Sequence, residues 1–296
     1  MKALITIGAT LIILFVFLIL VTKKQLRDIR KRVKSSNVSH VDCMKEEEKS
    51  YYREILKGYS PAVLSYIDNF EINGKKEVIA TLLSLKLKGV INILEHGIEI
   101  KDYNTNDLTI TEKLVLKNIK GGKVFLKYDE LKNKIIEEAT NCGLTSEHPL
   151  LSEAKVACEK MILFAIVFVL YVFGFLYLKL SHKDTDEFFS VLSVVLVLIL
   201  VIYYRESKNI LSKRMPKYEA FVRKMAKCEF LKRTQKGEDI NVKIEGLKKY
   251  IKDYSLLSEK NKDALDVWEE YLIYSVLFTE EKSVVENEML YLVNVK

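Results

Sequence analysis

Three uncharged, apolar runs constrain this chain more than any other feature of its sequence. They cover residues 3–22, 161–178 and 188–204, and each is rich in Val, Leu, Ile and Phe. As an α-helix the first run is about 30 Å long, which matches the hydrocarbon core of a bilayer. Because a helix that is apolar all round belongs in lipid or in a large core, the sequence predicts three transmembrane helices, at 3–22, 161–180 and 188–204.

The first run could instead be a cleaved signal peptide, since it follows Met1 and Lys2. It is longer than the usual apolar region of such peptides, and no small-residue cleavage site precedes Lys23. We therefore predict that residues 3–22 are a retained signal anchor.

The distribution of basic residues predicts an orientation. Residues 23–34 contain seven Lys or Arg and one Asp, and residues 205–236 contain eleven basic and three acidic residues. The short segment 181–187 contains one Lys and three carboxylates. The positive-inside rule then places the N-terminus and segment 181–187 outside the cell and the long polar segments inside. The prediction is a multi-pass cell-membrane protein whose main domains are cytoplasmic.

The net charge of +7 follows from the same basic blocks. Anionic lipid beside the predicted spans explains them better than nucleic acid does. The cysteines and histidines are scattered, without the close pairs that zinc sites and redox motifs require. The sequence therefore predicts no cofactor, no metal site and no catalytic group. The scattered residues are Cys43, Cys142, Cys158 and Cys228, with His40, His96, His148 and His182.

The polar segments form two predicted cytoplasmic domains. Residues 23–58 are a basic juxtamembrane segment and linker, residues 59–157 have the helix and strand order typical of a winged helix, and residues 205–296 are a basic segment with a helical domain. Within the first domain, KKEVIATLLSLKLKGVINI predicts a helix followed by a hairpin with its turn near His96 and Gly97. The predicted fold class is a mainly α membrane protein with three transmembrane helices, a winged-helix-like α+β domain and a C-terminal helical domain.

Two helix faces are candidates for an interaction surface. The predicted helix in KKEVIATLLSLKLKGVINI has a polar stripe opposite a broad apolar face. A helix that reads DNA needs several basic or amide side chains directed at base edges, and this stripe has one lysine and one glutamate. A C-terminal helix has an aromatic stripe, for which packing inside the helical domain is the alternative role. The candidates are Glu77, Thr81, Ser84 and Lys88 on the first helix, and Trp268, Tyr271 and Tyr274 on the second.

Three stretches in a fixed order resemble the DUF2207 family of predicted membrane proteins. They are YSPAVLSYIDN with ATLLSLKLKGVINI, then LTITEKLVLKNIKGGKVFLKYDELK, then LKKYIKDYSLLSE with VWEEYLIYSV. The resemblance implies an inner domain, a membrane hairpin and a C-terminal segment, and it implies no catalytic residues. Members of that family carry an extracytoplasmic β-domain before the first span, where this sequence has only Met1 and Lys2.

Three classes of function remain open at this point. The first is a non-enzymatic membrane scaffold or adaptor that docks a cytoplasmic protein partner or a second copy of itself. The alternative is a membrane-tethered, DNA-binding transcription regulator. A membrane enzyme or transporter is disfavoured because charged residues within the spans would be its signature, and the three runs contain none.

Overall fold

The computed structural model describes residues 2–38, 50–54, 56, 58–101, 103–180, 218–254, 265–279 and 283–296. The chain divides into two compact units. The first comprises Met1–Ser36 and Glu147–Leu231, and the second comprises Asn37–Ser146 and Lys232–Lys296.

The first unit contains three of the described helices. Helix α1 is Lys2–Ser36, α6 is Leu150–Leu180 and α7 is Tyr218–Ala226. The helices α1 and α6 run antiparallel. The end of α1 lies beside the start of α6, where Arg32 forms a 2.6 Å ion pair with Glu153. The Ser36 hydroxyl, one turn further along α1, lies 2.8 Å from Nε2 of His148, just before α6. Apolar residues spaced three and four apart along these helices form the core of the first unit, as expected of amphipathic helices. They include Leu26, Ile29 and Val33 of α1, Leu151, Ala154 and Cys158 of α6, and Tyr218, Val222 and Ala226 of α7.

The prediction of three transmembrane helices is wrong. Within the described residues, no helix has both the length and the continuous apolar character needed to cross a membrane. Two of the apolar runs are portions of longer helices: the run at 3–22 continues into the basic half of α1, and the run at 161–178 follows charged turns of α6. The third run, 188–204, and the predicted outer turn, 181–187, lie outside the described residues.

The second unit combines short helices with small sheets. Its helices are α2 (Pro61–Asn69), α3 (Lys75–Leu87), α4 (Ile110–Lys117), α5 (Tyr128–Asn141), α8 (Gln235–Tyr254), α9 (Leu265–Phe278) and α10 (Val284–Met289). Its strands are β1 (Ile91–Leu94), β2 (Gly97–Ile100), β3 (Ile119–Lys120), β4 (Lys123–Leu126) and β7 (Val293–Val295). Two further strands, β5 (Thr145–Glu147) and β6 (Leu231–Arg233), pair where the chain passes from one unit to the other.

Helix α2 begins as its local sequence favours, and the predicted hairpin after α3 is confirmed. The Ser60 hydroxyl accepts a hydrogen bond from the Val63 amide, and Pro61 occupies the first helical position, where its missing N–H costs nothing. Strand β1 pairs antiparallel with β2, and the turn between them contains His96. The winged-helix character of this region stays a prediction.

The last strand joins the C-terminal segment to the first polar segment. Strand β7 pairs in parallel with β4, opposite Val124 to Leu126, and β4 also pairs antiparallel with β3. The amide of Tyr128 donates a 2.7 Å hydrogen bond to the carbonyl of Lys296. Parts of residues 59–157 and of residues 205–296 therefore share the second unit.

Two hairpin turns of the second unit touch through glycines. The amide of Ile98 donates a 2.9 Å hydrogen bond to the carbonyl of Gly122. A Cβ at Gly97 would lie 2.9 Å from that same oxygen, and Gly97 has a φ of +147°, which favours glycine. The β1–β2 and β3–β4 turns can approach this closely only because neither residue carries a side chain.

Candidate functional site

The polar stripe of α3 is mostly buried, contrary to the exposed surface that the sequence predicts. Glu77 is 2 % exposed, Thr81 is fully buried and Ser84 is 8 % exposed. Only Lys88, at the end of the helix, keeps a substantially exposed side chain. The stripe faces other elements of the second unit, so its polar groups bond within the protein.

Glu77 completes the N-terminus of α3. Its carboxylate accepts hydrogen bonds from the amides of Asn73 and Gly74, at 3.2 Å and 2.6 Å, and from the Ser65 hydroxyl at 2.9 Å. A carboxylate at this position bonds amides that lack helical partners and favours the positive end of the helix dipole. The Thr81 hydroxyl donates to the Glu77 carbonyl at 2.6 Å. Two members of the predicted stripe thus hold α3 in place.

Glu112 is the second buried acid near α3. Its carboxylate is fully buried, and it accepts hydrogen bonds from the Ser84 hydroxyl at 2.9 Å and from the Lys88 ammonium at 2.8 Å. It also accepts a 2.9 Å bond from the Thr109 amide, as the acidic member of the capping box that begins α4. A buried carboxylate is tolerated where it has an ionic partner and satisfied lone pairs, and Glu112 has both.

Above this network lies a cleft of about 270 Å³ in the second unit. Its walls come from the start of α2, the end of α3, the loop before α4 and one side of α9. Three of the sequence-predicted residues, Ser84, Lys88 and Tyr274, lie here together. The other lining residues are Leu56, Gly58, Tyr59, Pro61, Asp107, Thr109, Glu270 and Ile273.

The wall formed by α9 is rigid. Ile273 and Tyr274 are 2 % and 3 % exposed, so packing fixes their positions. The Tyr274 hydroxyl donates a 3.2 Å hydrogen bond to Glu270. Burial, together with the neighbouring Glu270 carboxylate, raises the pKa of Tyr274 above its ordinary value, so the phenol stays protonated at neutral pH.

The remaining members of the predicted aromatic stripe do not line this cleft. The Tyr271 hydroxyl donates to the carbonyl of Arg53, and its ring lies 6.0 Å from that of Tyr250. Trp268 belongs to α9, but its side chain is outside the described part of the structure. Sequence reasoning missed Asp107, because that residue lies in a polar loop with no periodic pattern.

A second charged cluster binds α8 to α2. The Lys248 ammonium lies between the carboxylates of Asp68 and Glu245, which are both 9 % exposed. Burial raises the pKa of Asp68 although the Lys248 ammonium lowers it, and the Glu245 carboxylate adds to the rise. Burial would lower the pKa of Lys248, but its two acidic neighbours outweigh that effect and raise it. This cluster is enclosed by packed elements, and its role is structural.

No group of three His, Cys, Asp or Glu side chains in the described residues is arranged to hold a metal ion. The described cysteines are Cys142, Cys158 and Cys228, and all three are free thiols. Burial raises the pKa of Cys158 to about 11, so that thiol is not a ready nucleophile at neutral pH. Cys43 lies outside the described residues.

The fold and the cleft together define a mainly helical protein whose second unit has a concave, partly polar surface. The model of the predicted membrane protein (DUF2207) C-terminal domain matches residues 48–287, which is most of the chain. The chain belongs to the DUF2207 family of predicted membrane proteins, and the resemblance in its sequence is confirmed. No curated protein and no solved structure matches it.

Proposed function

We propose that this protein is a non-enzymatic, membrane-associated adaptor that docks a cytoplasmic protein partner, or a second copy of itself, through the cleft of its second unit. The observation that carries the proposal is the cleft, which combines a rigid apolar wall with polar groups at its base. Sites that bind a specific ligand are concave and mostly apolar, with a few fixed polar groups.

The size of the cleft favours an anchoring side chain over a whole small molecule. Pockets for drug-sized ligands occupy roughly 300–1,000 Å³, and this cleft occupies about 270 Å³. Protein interfaces gain most of their energy from a few side chains that fill such pockets. Leu56, Pro61 and Ile273 offer the apolar contact that an anchor of this kind needs.

The chemistry of the cleft supports binding more than catalysis. A hydroxyl nucleophile needs a neighbouring base that is free to take its proton. The Ser84 hydroxyl is bonded to the carboxylate of Glu112, which already accepts bonds from Lys88 and the Thr109 amide. The Tyr274 phenol is held protonated by burial. The groups in the cleft are therefore suited to fixing a bound group in place.

Attachment to a bilayer is supported by the first unit. Because α1 and α6 are antiparallel, the exposed Phe17 and Leu20 of α1 lie at the same end of the pair as the exposed Ile166 and Val169 of α6. The exposed basic residues Lys23, Lys24 and Arg27 follow Leu20 on the same helix. Apolar side chains beside a basic band suit an anionic bilayer surface. The cytoplasmic leaflet carries the anionic lipid that such a band attracts, so we propose that the protein lies on the cytoplasmic side of the membrane.

The alternative function, that of a DNA-binding transcription regulator, is less well supported because the polar stripe of α3 is buried. Base recognition needs polar side chains that are free to reach base edges. Glu77, Thr81 and Ser84 are bonded inside the second unit, and Lys88 is paired with Glu112. A docking role needs none of these groups to be free.

The test is co-purification from a detergent extract, with the full-length chain as bait. Asp107→Trp would place an indole at the cleft, and Glu95→Trp would place one on the exposed β1–β2 turn as the matched control. We expect a stoichiometric partner, or a second copy of the chain, with the wild type and with Glu95→Trp, and its loss with Asp107→Trp. Equal recovery with all three baits, or none with the wild type, would contradict the proposal.

A further inference from the structure

We propose that the cleft of the second unit recognises a cationic side chain, arginine or lysine, presented by the docking partner. This inference rests on the proposed docking function and names the chemistry of the partner's anchor. It follows from which charges in the cleft are already neutralised and which are not.

Lys88, the cation among the described residues that line the cleft, is already paired. The Lys88 ammonium lies 2.8 Å from Oε2 of Glu112, and the Glu112 carboxylate is fully buried beside the cleft. These two charges cancel locally, so Lys88 offers little attraction to an anionic ligand. A partner carboxylate or phosphate would have to compete with Glu112 for the same ammonium.

The two acids of the cleft have no such partner. Among the described residues, no cation lies within ion-pair distance of Asp107 or Glu270. Glu270 accepts one hydrogen bond, from the neutral hydroxyl of Tyr274, and Asp107 has an exposed side chain. Within the described part of the chain, two carboxylates without an ion-pair partner therefore border the cleft, and charge complementarity selects a positive group.

The neutral surfaces of the cleft suit the stem of such a side chain. Arginine and lysine carry an apolar stem below the charged head, and that stem packs well on apolar walls. Pro61 and Ile273 provide such a wall. Tyr59 also lines the cleft, and the Lys236 ammonium lies 5.6 Å from its ring. The cleft volume of about 270 Å³ is that of about nine waters at about 30 Å³ each, which is enough space for one long side chain.

The experiment uses the full-length chain in detergent and three fluorescent peptides with blocked ends. Their sequence is Ala-Ala-X-Ala-Ala, where X is arginine, lysine or citrulline. Citrulline has the shape of arginine without its charge. We expect the arginine and lysine peptides to bind about tenfold more tightly than the citrulline peptide, because a charged hydrogen bond is lost.

Two double variants locate the effect. Asp107→Asn with Glu270→Gln removes both carboxylate charges and keeps their shapes, including the acceptor for Tyr274. Glu95→Gln with Glu99→Gln makes the same change in net charge on the β1–β2 hairpin, outside the cleft. We expect the first variant to lose the preference for arginine over citrulline, and the second to retain it.

Each outcome separates this inference from the proposed function. Equal binding of arginine and citrulline by the wild type, no binding of either peptide, or a preference that survives in the Asp107 and Glu270 double variant would overturn the inference. If Asp107→Trp still abolishes co-purification of the partner, the docking function stands without it. If no partner co-purifies with the wild type, the docking function itself has failed.

Discussion

The Ser84 hydroxyl on α3 donates a 2.9 Å hydrogen bond to Oε1 of Glu112 on α4, and both side chains are buried. Oε2 of the same carboxylate accepts from Lys88, which reaches in from the edge of the cleft. One fully buried acid therefore ties the end of α3 to the start of α4. This connection fixes the position of the residues at the base of the cleft, against which a docked side chain would pack.

Glu112→Gln should destabilise the second unit by about 2 kcal/mol. The substitution leaves the Lys88 ammonium without its charged partner and removes one acceptor from a buried set. The loss is smaller than for a fully enclosed pair, because the Lys88 side chain is 39 % exposed and water screens it.

Denaturant unfolding followed by tryptophan fluorescence measures this loss, since Trp268 is the only tryptophan and belongs to the second unit. The control is Glu137→Gln, which breaks the exposed ion pair with Lys134 and should cost less than about 0.5 kcal/mol. Equal effects of the two substitutions would show that the buried network contributes nothing beyond a surface pair.

Gly97→Ala should destabilise the contact between the two hairpin turns by about 2 kcal/mol. The added methyl would lie 2.9 Å from the Gly122 carbonyl oxygen, at a φ that L-residues rarely adopt. Gly121→Ala is the matched control, since Gly121 also has a positive φ of +55° but nothing lies within 4 Å of its Cβ position. The same fluorescence measurement should give a loss of about 1 kcal/mol for the control. A larger loss at Gly121 than at Gly97 would contradict the close approach.

Cys158 should resist alkylation in the folded chain. Its thiol is fully buried, and with a pKa of about 11 only about one molecule in a thousand is a thiolate at pH 8. Iodoacetamide treatment followed by peptide mass spectrometry should label the half-exposed Cys142 first. In urea the two rates should converge. Labelling of Cys158 as fast as Cys142 before unfolding would mean that the core of the first unit is open.

The raised pKa of Asp68 predicts how stability changes with pH. Between pH 3.8, its value in an unfolded chain, and its higher folded-state pKa, the folded protein holds the proton more often than the unfolded chain does. This group alone therefore makes stability fall as pH rises through that window. Asp68→Asn should remove that contribution, so the free energy of unfolding of the variant should rise more steeply with pH there. An unchanged slope would contradict the shift.

Basic residues on α1 should govern binding to anionic vesicles. Replacing Lys23, Lys24 and Arg27 together by Gln should weaken binding to phosphatidylserine vesicles roughly 100-fold, since each is worth about 1 kcal/mol near such a surface. Binding to neutral phosphatidylcholine vesicles should change little. The control replaces the exposed residues Lys117, Lys120 and Lys123 of the second unit, which carry the same charge. Similar losses for both variants would mean that net charge alone drives the binding.

Local features of the fold could be predicted from the sequence, and distant contacts could not. The start of α2 and the β1–β2 hairpin follow from Ser60, Pro61 and Gly97, whose preferences are local. The sequence predicts that the polar stripe on α3 faces solvent, because polar residues usually face water. Its partners Ser65 and Glu112 lie 12 and 28 residues away from Glu77 and Ser84, so no helical pattern reveals them.

The same limit, that a local sequence pattern does not reveal distant contacts, explains the other differences between the predictions and the structure. The pairing of β7 with β4 joins the two separate chain segments that make up the second unit. Strands of three and four residues are too short to show a clear alternation of apolar and polar residues in the sequence. Apolar length alone suggested membrane spans, whereas the two runs within the described residues belong to longer helices with charged turns. Two of the candidate residues, Lys88 and Tyr274, line the cleft, and Asp107 becomes their neighbour only after folding.

Photo-crosslinking in intact cells tests the central claim, that this cleft is the docking site, most directly. A benzophenone amino acid at position 107 would line the cleft, and the same residue at position 95 would stand on the exposed β1–β2 turn. A discrete crosslinked species, either a partner protein or a dimer of this chain, should form from position 107 and not from position 95. No crosslink from position 107, or the same products from both positions, would contradict a docking role for the cleft.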